Sequence, residues 1–380
     1  MKRSDRPLRV LFCQPTARRT GSEHSLLQIL RSLDRARIEP VLLLGEHGPM
    51  EEPLAEEVRE VHVVPAPKLR RSAATGARFA ASFPRLVLAV RRLARRHALD
   101  AIHVNTLMFP QATFAGRAAG LGVVSHIREV ESTYPRSVYR GYMRWCALQS
   151  HHIICVCSAI LAQDLPMRAR IEARSSVVYN ASDHTPTTPR PLREAPEFVS
   201  ILAATRKKGV LDLVDAYALL RMSHPELRFS ATIVGGPGES ETRAEAIRRL
   251  HAAGLGDSVR FAGEQADVSP FLARADLLVH PSHTEAFPRV LVEAANHALP
   301  CVATDVGGSR EAVEEGKTGL LVPPRNPAAL ARGLERIATD RTLHASMAAS
   351  ALERYQGHFT PAIMARGIEQ ALFAAADRAR

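Results

Sequence analysis

Lysine, cysteine and long apolar runs are all scarce in this chain. Only five of its 50 cationic residues are lysine (Lys2, Lys68, Lys207, Lys208 and Lys317), so arginine carries the positive charge. Genome composition alone can produce that bias. Five cysteines, an odd number with no C-x-x-C pair, argue against a disulfide framework and for a reducing compartment. No apolar run reaches the roughly 18 residues that a membrane span needs. The first ten residues, MKRSDRPLRV, pass from charge straight into a strand, so no signal peptide is expected and a cytoplasmic location is. Solenoid repeats and low-complexity segments are missing as well. What remains is globular: 46% hydrophobic and 23% charged residues exclude a disordered chain. At roughly 150 residues per domain, the 380 residues suggest two domains, each with its own core.

The net charge of +11 is unevenly placed. Up to Glu197 there are 29 Lys+Arg and 18 Asp+Glu, net +11; from Phe198 onward there are 21 of each, net zero. Such asymmetry directs attention to an anionic membrane, an acidic ligand or a nucleic acid. No nucleic-acid-binding module is recognisable, and that partner is not expected.

Short apolar runs alternate with helical patterns throughout. Leu8–Cys13, Pro40–Leu44, Val61–Val64, Ala101–Val104, Val123–Ile127 and Ile153–Cys157 read as strands. A second series is Phe198–Ala203, Ser230–Val234, Val259–Phe261, Leu277–His280, Cys301–Thr304 and Leu320–Val322. Runs so short and uniformly apolar fit parallel strands buried on both faces. Strand–helix alternation repeated twice predicts two doubly wound α/β domains facing a cleft. The expected division is residues 1–183, a proline-rich linker 184–197, and residues 198–359, with a tail helix 360–380 free to pack back on the first domain. Ligands bind such sheets at the carboxyl ends of the strands.

Residues 281–293, PSHTEAFPRVLVE, carry the strongest chemical signal. Glu285 sits in a loop after a strand, and Glu293 sits one turn into a helix starting near Arg289. Between them the backbone amides of Phe287, Pro288 (which lacks one), Arg289, Val290 and Leu291 form a helix start that attracts phosphate oxygens. A carboxylate accepts vicinal sugar hydroxyls well. This E-x7-E block, followed by Gly307-Gly308-Ser309-Arg310-Glu311 and by GKTGLLVP at 316–323, resembles family 4 of the retaining, nucleotide-sugar-dependent glycosyltransferases of GT-B fold. The resemblance also takes in Val178-Tyr179-Asn180-Ala181-Ser182-Asp183 and covers essentially the full chain, most strongly from about 200 to 325.

That resemblance implies roles. Glu293 holds the nucleotide ribose, Glu285 contacts the transferred sugar, and Lys208 with Gly209 binds the diphosphate. The family's G-R-x-x-x-x-K-G reads here Leu202-Ala203-Ala204-Thr205-Arg206-Lys207-Lys208-Gly209, with Ala203 where the family has arginine. Arg206 or Lys207 is left to compensate from a shifted spacing. Arg18–Glu23 resembles the family's G-G-x-E loop, with Gly21 and Ser22 in the glycine positions; a plain helix cap by Ser22 explains it equally. His126, at a strand end, stands against the donor sugar, whereas Asn105, Arg128 and Glu129 line the acceptor side. Ser158 resembles a family strand-end serine or caps a helix. The implied chemistry is hexosyl transfer with retention by a front-face route, without a metal or cofactor, the nucleotide sugar being a co-substrate. The expected acceptor is a glycan or lipid-linked precursor of cell-envelope type. The alternative is a scaffold that binds a glycan or nucleotide without turnover, supported by Ala203, Ser22 and Ala286.

Phe79–His97 pairs an apolar face with Arg85, Arg91, Arg92, Arg95 and Arg96. Such a helix either lies on the inner face of an anionic membrane or packs on the sheet with its cations in water. Other features carry no function in this reading. Cys155-x-Cys157 lies in an apolar strand, His151-His152 lacks a third metal ligand, and Asn180-Ala181-Ser182 is a sequon without a secretion signal. Gly235–Gly238 is not a dinucleotide fingerprint.

Overall fold

The structure, a computed structural model, describes residues 6–67, 73–131, 135–163, 165–236 and 238–379. The charged start at residues 1–5, Lys68 and Pro237 of the Gly235–Gly238 turn lie outside the described residues. The chain divides into two units, Met1–Ala181 with Pro361–Arg380, and Ser182–Thr360.

In the first unit the strands are β1 (Leu8–Gln14), β2 (Ile38–Leu44), β3 (Val61–Val63), β4 (Ala101–Val104), β5 (Gly122–Ile127), β6 (His152–Cys155) and β7 (Ser175–Val177). The helices between them are α1 (Gly21–Ser32), α2 (Glu51–Ala55), α3 (Ala73–Arg96), α4 (Pro110–Ala118), α5 (Arg136–Gln149), α6 (Ser158–Leu161) and α7 (Arg168–Glu172). The strands pair in parallel in the order β3-β2-β1-β4-β5-β6-β7. Alternation along β1 supplies two cores. Val10 and Phe12 face a cluster that includes Leu26 and Leu30 of α1, while Leu11 and Cys13 face one that includes Leu86 and Val90 of α3. Both faces are covered, which is why the strand reads as unbroken hydrophobe. The sequence gives no hint of β7; its three residues, Ser-Ser-Val, are only half-buried and form the sheet edge.

The second unit has β8 (Glu197–Ile201), α8 (Val210–Ser223), β9 (Ser230–Val234), α9 (Ser240–Ala252), β10 (Val259–Gly263), α10 (Ser269–Arg274) and β11 (Leu277–His280). It continues with α11 (Arg289–Asn296), β12 (Cys301–Thr304), α12 (Ser309–Ala312), β13 (Gly319–Val322), α13 (Pro327–Thr339) and α14 (Arg341–His358). Its strand order is β10-β9-β8-β11-β12-β13. In both sheets, therefore, the order runs outward from the first strand in two directions, with reversal at β1/β4 and at β8/β11.

The proline-rich residues 184–197 hold no helix, yet side chains tie them and Ser182 to the second unit. Thr187 Oγ1 donates to the His297 carbonyl at 2.7 Å, Arg190 to Ala275 at 2.7 Å, and Arg193 Nε to Asp276 at 2.8 Å. Tyr355 donates its hydroxyl to the Ser182 carbonyl at 2.9 Å. All five cysteines are buried; burial pushes the Cys301 thiol up to about 12, so these are core residues. Among the described residues no helix is long and apolar enough to cross a membrane.

The last helix, α15 (Pro361–Arg378), returns to the first unit. Ile368, Leu372 and Ala375 are fully buried in the cluster that holds Val10, Phe12, Ala101, Val124 and Ile154. Truncating a fully buried Leu costs about 2–5 kcal/mol through lost transfer energy and a residual cavity. Leu372→Ala is accordingly expected to lower the unfolding free energy of the first unit by that amount, and with it the denaturation midpoint, while leaving the second unit's transition in place. A midpoint shift confined to the second unit would contradict this assignment of α15.

Candidate active site

In the second unit the site groups collect past the carboxyl ends of β8 and β11, where the strand order reverses. A single turn at Arg206–Lys208 follows β8, closed by the Lys208 amide donating to Thr205 Oγ1 at 3.2 Å. Gly209 then turns into α8 with φ +72°, and a Cβ there would lie 2.0 Å from the Pro281 carbonyl oxygen. Only glycine permits both the left-handed backbone and that approach. The contact brings the Lys208 turn against the loop after β11.

Lys208 Nζ donates to Glu285 Oε1 at 2.6 Å, and Ser282 Oγ donates to the same oxygen at 2.8 Å. His280 Nε2 lies 3.4 Å away. Burial by itself would raise the Glu285 pKa, but His280 and Lys208 outweigh it, and the carboxyl is held well below the usual range. Glu285 is therefore a fixed anion at every physiological pH. Its backbone is set by the loop after β12. Gly307 has φ +52° with a would-be Cβ 1.9 Å from the Glu285 carbonyl oxygen, and the Gly308 amide donates to Ala286 at 2.7 Å.

Glu293 is the fifth residue of α11 and is 8% exposed; Arg289, one turn earlier, donates to its Oε1 at 3.2 Å. The N-cap of α11 is Pro288, whose side chain offers no cap, and the positive end of the helix dipole lies at this loop. One expectation changes in detail. The Leu291 amide is used by the Pro288 carbonyl at 3.2 Å, and the Phe287 ring packs on Phe359 at 5.9 Å with Phe287 5% exposed. Phe287 and the buried Val290 thus offer backbone rather than side chain. Arg206, the candidate for the missing arginine at Ala203, gives its guanidinium to Glu245 of α9 at 2.7 Å.

In the first unit the groups gather past β1, β4, β5 and β7. Asn105 Nδ2 donates to Gln14 Oε1 at 3.0 Å and to the Ser22 carbonyl at 2.9 Å, while its Oδ1 accepts Arg128 Nε at 3.0 Å. Arg128 also donates to Asn180 Oδ1 at 2.7 Å. Gly21 opens α1, and the N-cap is Thr20 rather than Ser22. Ser22 instead donates to Glu23 at 2.7 Å, which is fully buried and also accepts from Thr16 and Thr20. Burial would raise the Glu23 pKa, yet those three hydroxyls hold it down. Glu129 lies on the opposite side of that balance. Burial raises its pKa despite Thr106 on one oxygen and the Arg128 and Leu107 amides at 2.9 and 3.2 Å on the other. It braces the loop between β5 and α5. Ser158 is the first residue of α6, after the N-cap Cys157.

His126 is the penultimate residue of β5, 1% exposed, with Nδ1 3.3 Å from His103 Nε2 and 3.4 Å from Arg128 Nη2. Its Nε2 is buried and has no hydrogen-bond partner among the described residues. Burial, then Arg128, then His103 hold its pKa well below the ordinary value. Burial and Arg128 bring His103 to about 3. Sequence reasoning missed His103, Gln14, His280 and Ser282 as partners. The available signal was position: each lies at, or within two residues of, a strand end.

Both imidazoles are neutral in the folded chain and ionise near about 6.5 when it unfolds. Below that pH the unfolded state binds protons that the native state does not. Stability is complete above about 6.5 and declines as pH falls toward the folded His103 value of about 3. The melting temperature of the first unit should therefore drop from pH 7 to pH 5. His103→Gln should reduce that slope by about one proton; an unchanged slope would mean that His103 is already charged in the folded protein.

Comparison with known proteins bears on this geometry. The family model described as Glycosyl transferases group 1 matches residues 189–354, and that described as Glycosyltransferase Family 4 matches residues 19–186. The chain is 39% identical to a D-inositol 3-phosphate glycosyltransferase of Streptomyces avermitilis over 145 residues, 37% of this chain and 31% of that protein. It is 30% identical to a glycogen synthase of Mycobacterium tuberculosis over 274 residues, 70% of this chain and 62% of that protein. The chain thus spans about a third of the first of these relatives and less than two thirds of the other. Anabaena HepE in complex with UDP and glucose shares the fold, with a TM-score of 0.80 at 22% identity over 96% of this chain and 99% of that one. With one model on each unit and two Rossmann-like parallel sheets of GT-B class, the chain belongs to the family 4, group 1 glycosyltransferases.

Proposed function

We propose that the protein transfers a hexosyl group from a nucleotide-diphosphate sugar to an acceptor hydroxyl with retention at the anomeric carbon. The observation that carries this reading is Lys208 seated on Glu285 at the β8/β11 reversal, in the loop that leads into α11. Lys208 takes the diphosphate, with the amides of Arg289 and Val290 and the loop at Gly209 around it. Glu293, released from Arg289, accepts the ribose hydroxyls. Glu285, kept anionic, accepts hydroxyls of the sugar. In the first unit the resemblance assigns a sugar hydroxyl to neutral His126, whose Nε2 has no partner among the described residues; a hydroxyl there would satisfy a buried polar atom otherwise left at a cost of about 1–3 kcal/mol.

Charge grows on the diphosphate as the glycosidic bond breaks. Lys208 and the helix dipole oppose that charge without a divalent metal, and Arg206 joins them only by leaving Glu245. No carboxylate is assigned as a nucleophile, since Glu285 is committed to Lys208 and Ser282. The leaving phosphate oxygen takes the acceptor proton on the same face, which yields retention. By the family resemblance, Gly21 and Ser22 of the first unit are assigned to the donor and Asn105, Arg128 and Glu129 to the acceptor.

The donor class follows the UDP and glucose bound by HepE, and a phosphate-bearing acceptor follows the inositol phosphate named for the Streptomyces relative. An acceptor carried on lipid suits the surface of the first unit. Buried Leu86, Val90 and Leu93 set α3 on the sheet, while Arg85, Arg91, Arg92, Arg95 and Arg96 are exposed. Helices α3 and α5 contain no Asp or Glu. Between α3, α4 and α5 is a cavity of about 330 Å³ lined by Phe79, Phe83, Tyr142 and Trp145, with Leu88 55% exposed nearby on α3. Arginines around an aromatic, apolar patch complement an anionic lipid surface.

Lys208→Ala and Glu293→Ala should each lower kcat/KM for release of nucleoside diphosphate by about 10²–10³-fold. The assay is UDP-glucose with a panel of sugar and inositol phosphate acceptors, run with and without chelator. Near-wild-type transfer by both folded variants would refute the assignment. Tight UDP-glucose binding with no turnover across all acceptors would instead mark a binding scaffold lacking the arginine replaced by Ala203. Binding to vesicles containing phosphatidylglycerol should weaken with salt and fall at least tenfold in Arg85→Gln/Arg92→Gln. Absence of binding at low salt would remove the membrane partner.

A further inference from the structure

Three side chains meet at the amino end of β3, the opposite end of the sheet from the site above. Glu60 and His62 alternate along the strand and so point to one side of it. His97 follows the last residue of α3 and reaches the same place. His62 Nε2 is 3.5 Å from Glu60 Oε1, and His97 Nε2 is 3.4 Å from Glu60 Oε2. All three donor atoms lie within 4.8 Å of one another. The two rings stand 5.6 Å apart at 60°.

These distances do not describe hydrogen bonds. A charge-assisted N–H···O contact closes to about 2.7–2.9 Å. Both Nε2 atoms are buried and have no hydrogen-bond partner among the described residues, and the His97 side chain is only 6% exposed. Two buried imidazole nitrogens left facing one carboxylate need an explanation. Ligands about 2.0–2.2 Å from a tetrahedral centre are separated by roughly 3.3–3.6 Å along each edge of the tetrahedron. Each imidazole nitrogen stands at such a distance from one oxygen of Glu60, His62 from Oε1 and His97 from Oε2. Burial lowers the pKa of both histidines even though Glu60 opposes the shift, so neutral lone pairs are available at neutral pH.

We propose that Glu60, His62 and His97 bind a divalent transition-metal ion of zinc type, with a fourth position open to water. A two-imidazole, one-carboxylate set suits zinc, and calcium or magnesium would demand more oxygen ligands. The ion would clasp the short strand β3 to the end of α3, two segments far apart in sequence. One charge opposes it: Arg96 Nη2 lies 3.0 Å from Glu60 Oε1 and competes for that oxygen. The site is independent of glycosyl transfer and stands or falls without it.

The test uses full-length protein stripped with chelator and titrated with zinc or cobalt(II), read by calorimetry, thermal melting and visible absorption. Expected are one ion per chain, a rise in melting temperature with zinc, and the intense visible bands of tetrahedral cobalt(II). Glu60→Gln, which keeps the side-chain shape, and His62→Ala/His97→Ala should abolish all three. Arg96→Gln, by removing the competing cation, should tighten binding at least several-fold. Should the histidine variant fail to fold, X-ray absorption of the zinc-loaded wild type decides, two imidazoles and one carboxylate oxygen being the expected shell. Absence of both the melting shift and the cobalt bands at equimolar metal, binding that survives in Glu60→Gln, or a different ligand shell would each overturn the proposal.

Discussion

Parallel pairing with crossover helices on both faces places the carboxyl ends of all strands along one edge. The crossovers must part where the strand order reverses. In this chain the reversals fall at β1/β4 and β8/β11. The first unit's polar web (Gln14, Asn105, Arg128 and Asn180) begins where its strands stop, and so does the second unit's pair of Lys208 and Glu285. The strands themselves are apolar on both faces and rigidly packed, which lets short loops hold charged groups at fixed distances.

Those charges sit close to a low-dielectric floor, and their neighbours decide which ones survive. Glu285, Glu23 and Glu129 are all buried enough for desolvation to be the leading effect on each. For Glu285, His280 and Lys208 reverse it; for Glu23, three hydroxyls do. For Glu129, one hydroxyl, two amides and Arg128 do not, and its pKa rises. One residue type thereby serves as a permanent anion in one loop and as a brace in another. The loops are kept in place by backbone contacts as close as steric limits allow, at Gly209 against Pro281 and at Gly307 against Glu285.

Part of the surplus positive charge lies at the exposed surface of α3. Val90 and Leu93 of α3 bury toward the sheet while Arg91, Arg92, Arg95 and Arg96 stay at the surface. Some of these arginines have protein partners: Arg91 donates to the Ala118 carbonyl and Arg96 pairs with Glu60. Packing on the sheet and a cationic outer surface are therefore both true of one helix, because 3.6-residue periodicity assigns different residues to each.

Much of this was legible in the residues alone. Two doubly wound sheets follow from short, uniformly apolar runs alternating with helices. The E-x7-E block, with a loop carboxylate and a helix carboxylate one turn in, stands as its spacing requires. Those features are local: they depend on strand burial, helical period and the lack of a side-chain cap on α11. Other features are not local. That Arg206 turns to Glu245, that Phe287 packs into the core, and that α15 completes the first unit depend on residues far apart in sequence. So does the meeting of His97 with Glu60 and His62, of which only the i, i+2 pair could be read along the strand. Sequence by itself determined which backbone elements form, since periodic burial encodes them. Only the tertiary structure decided which side chains share a charge, because that requires distances closed by the packed sheet.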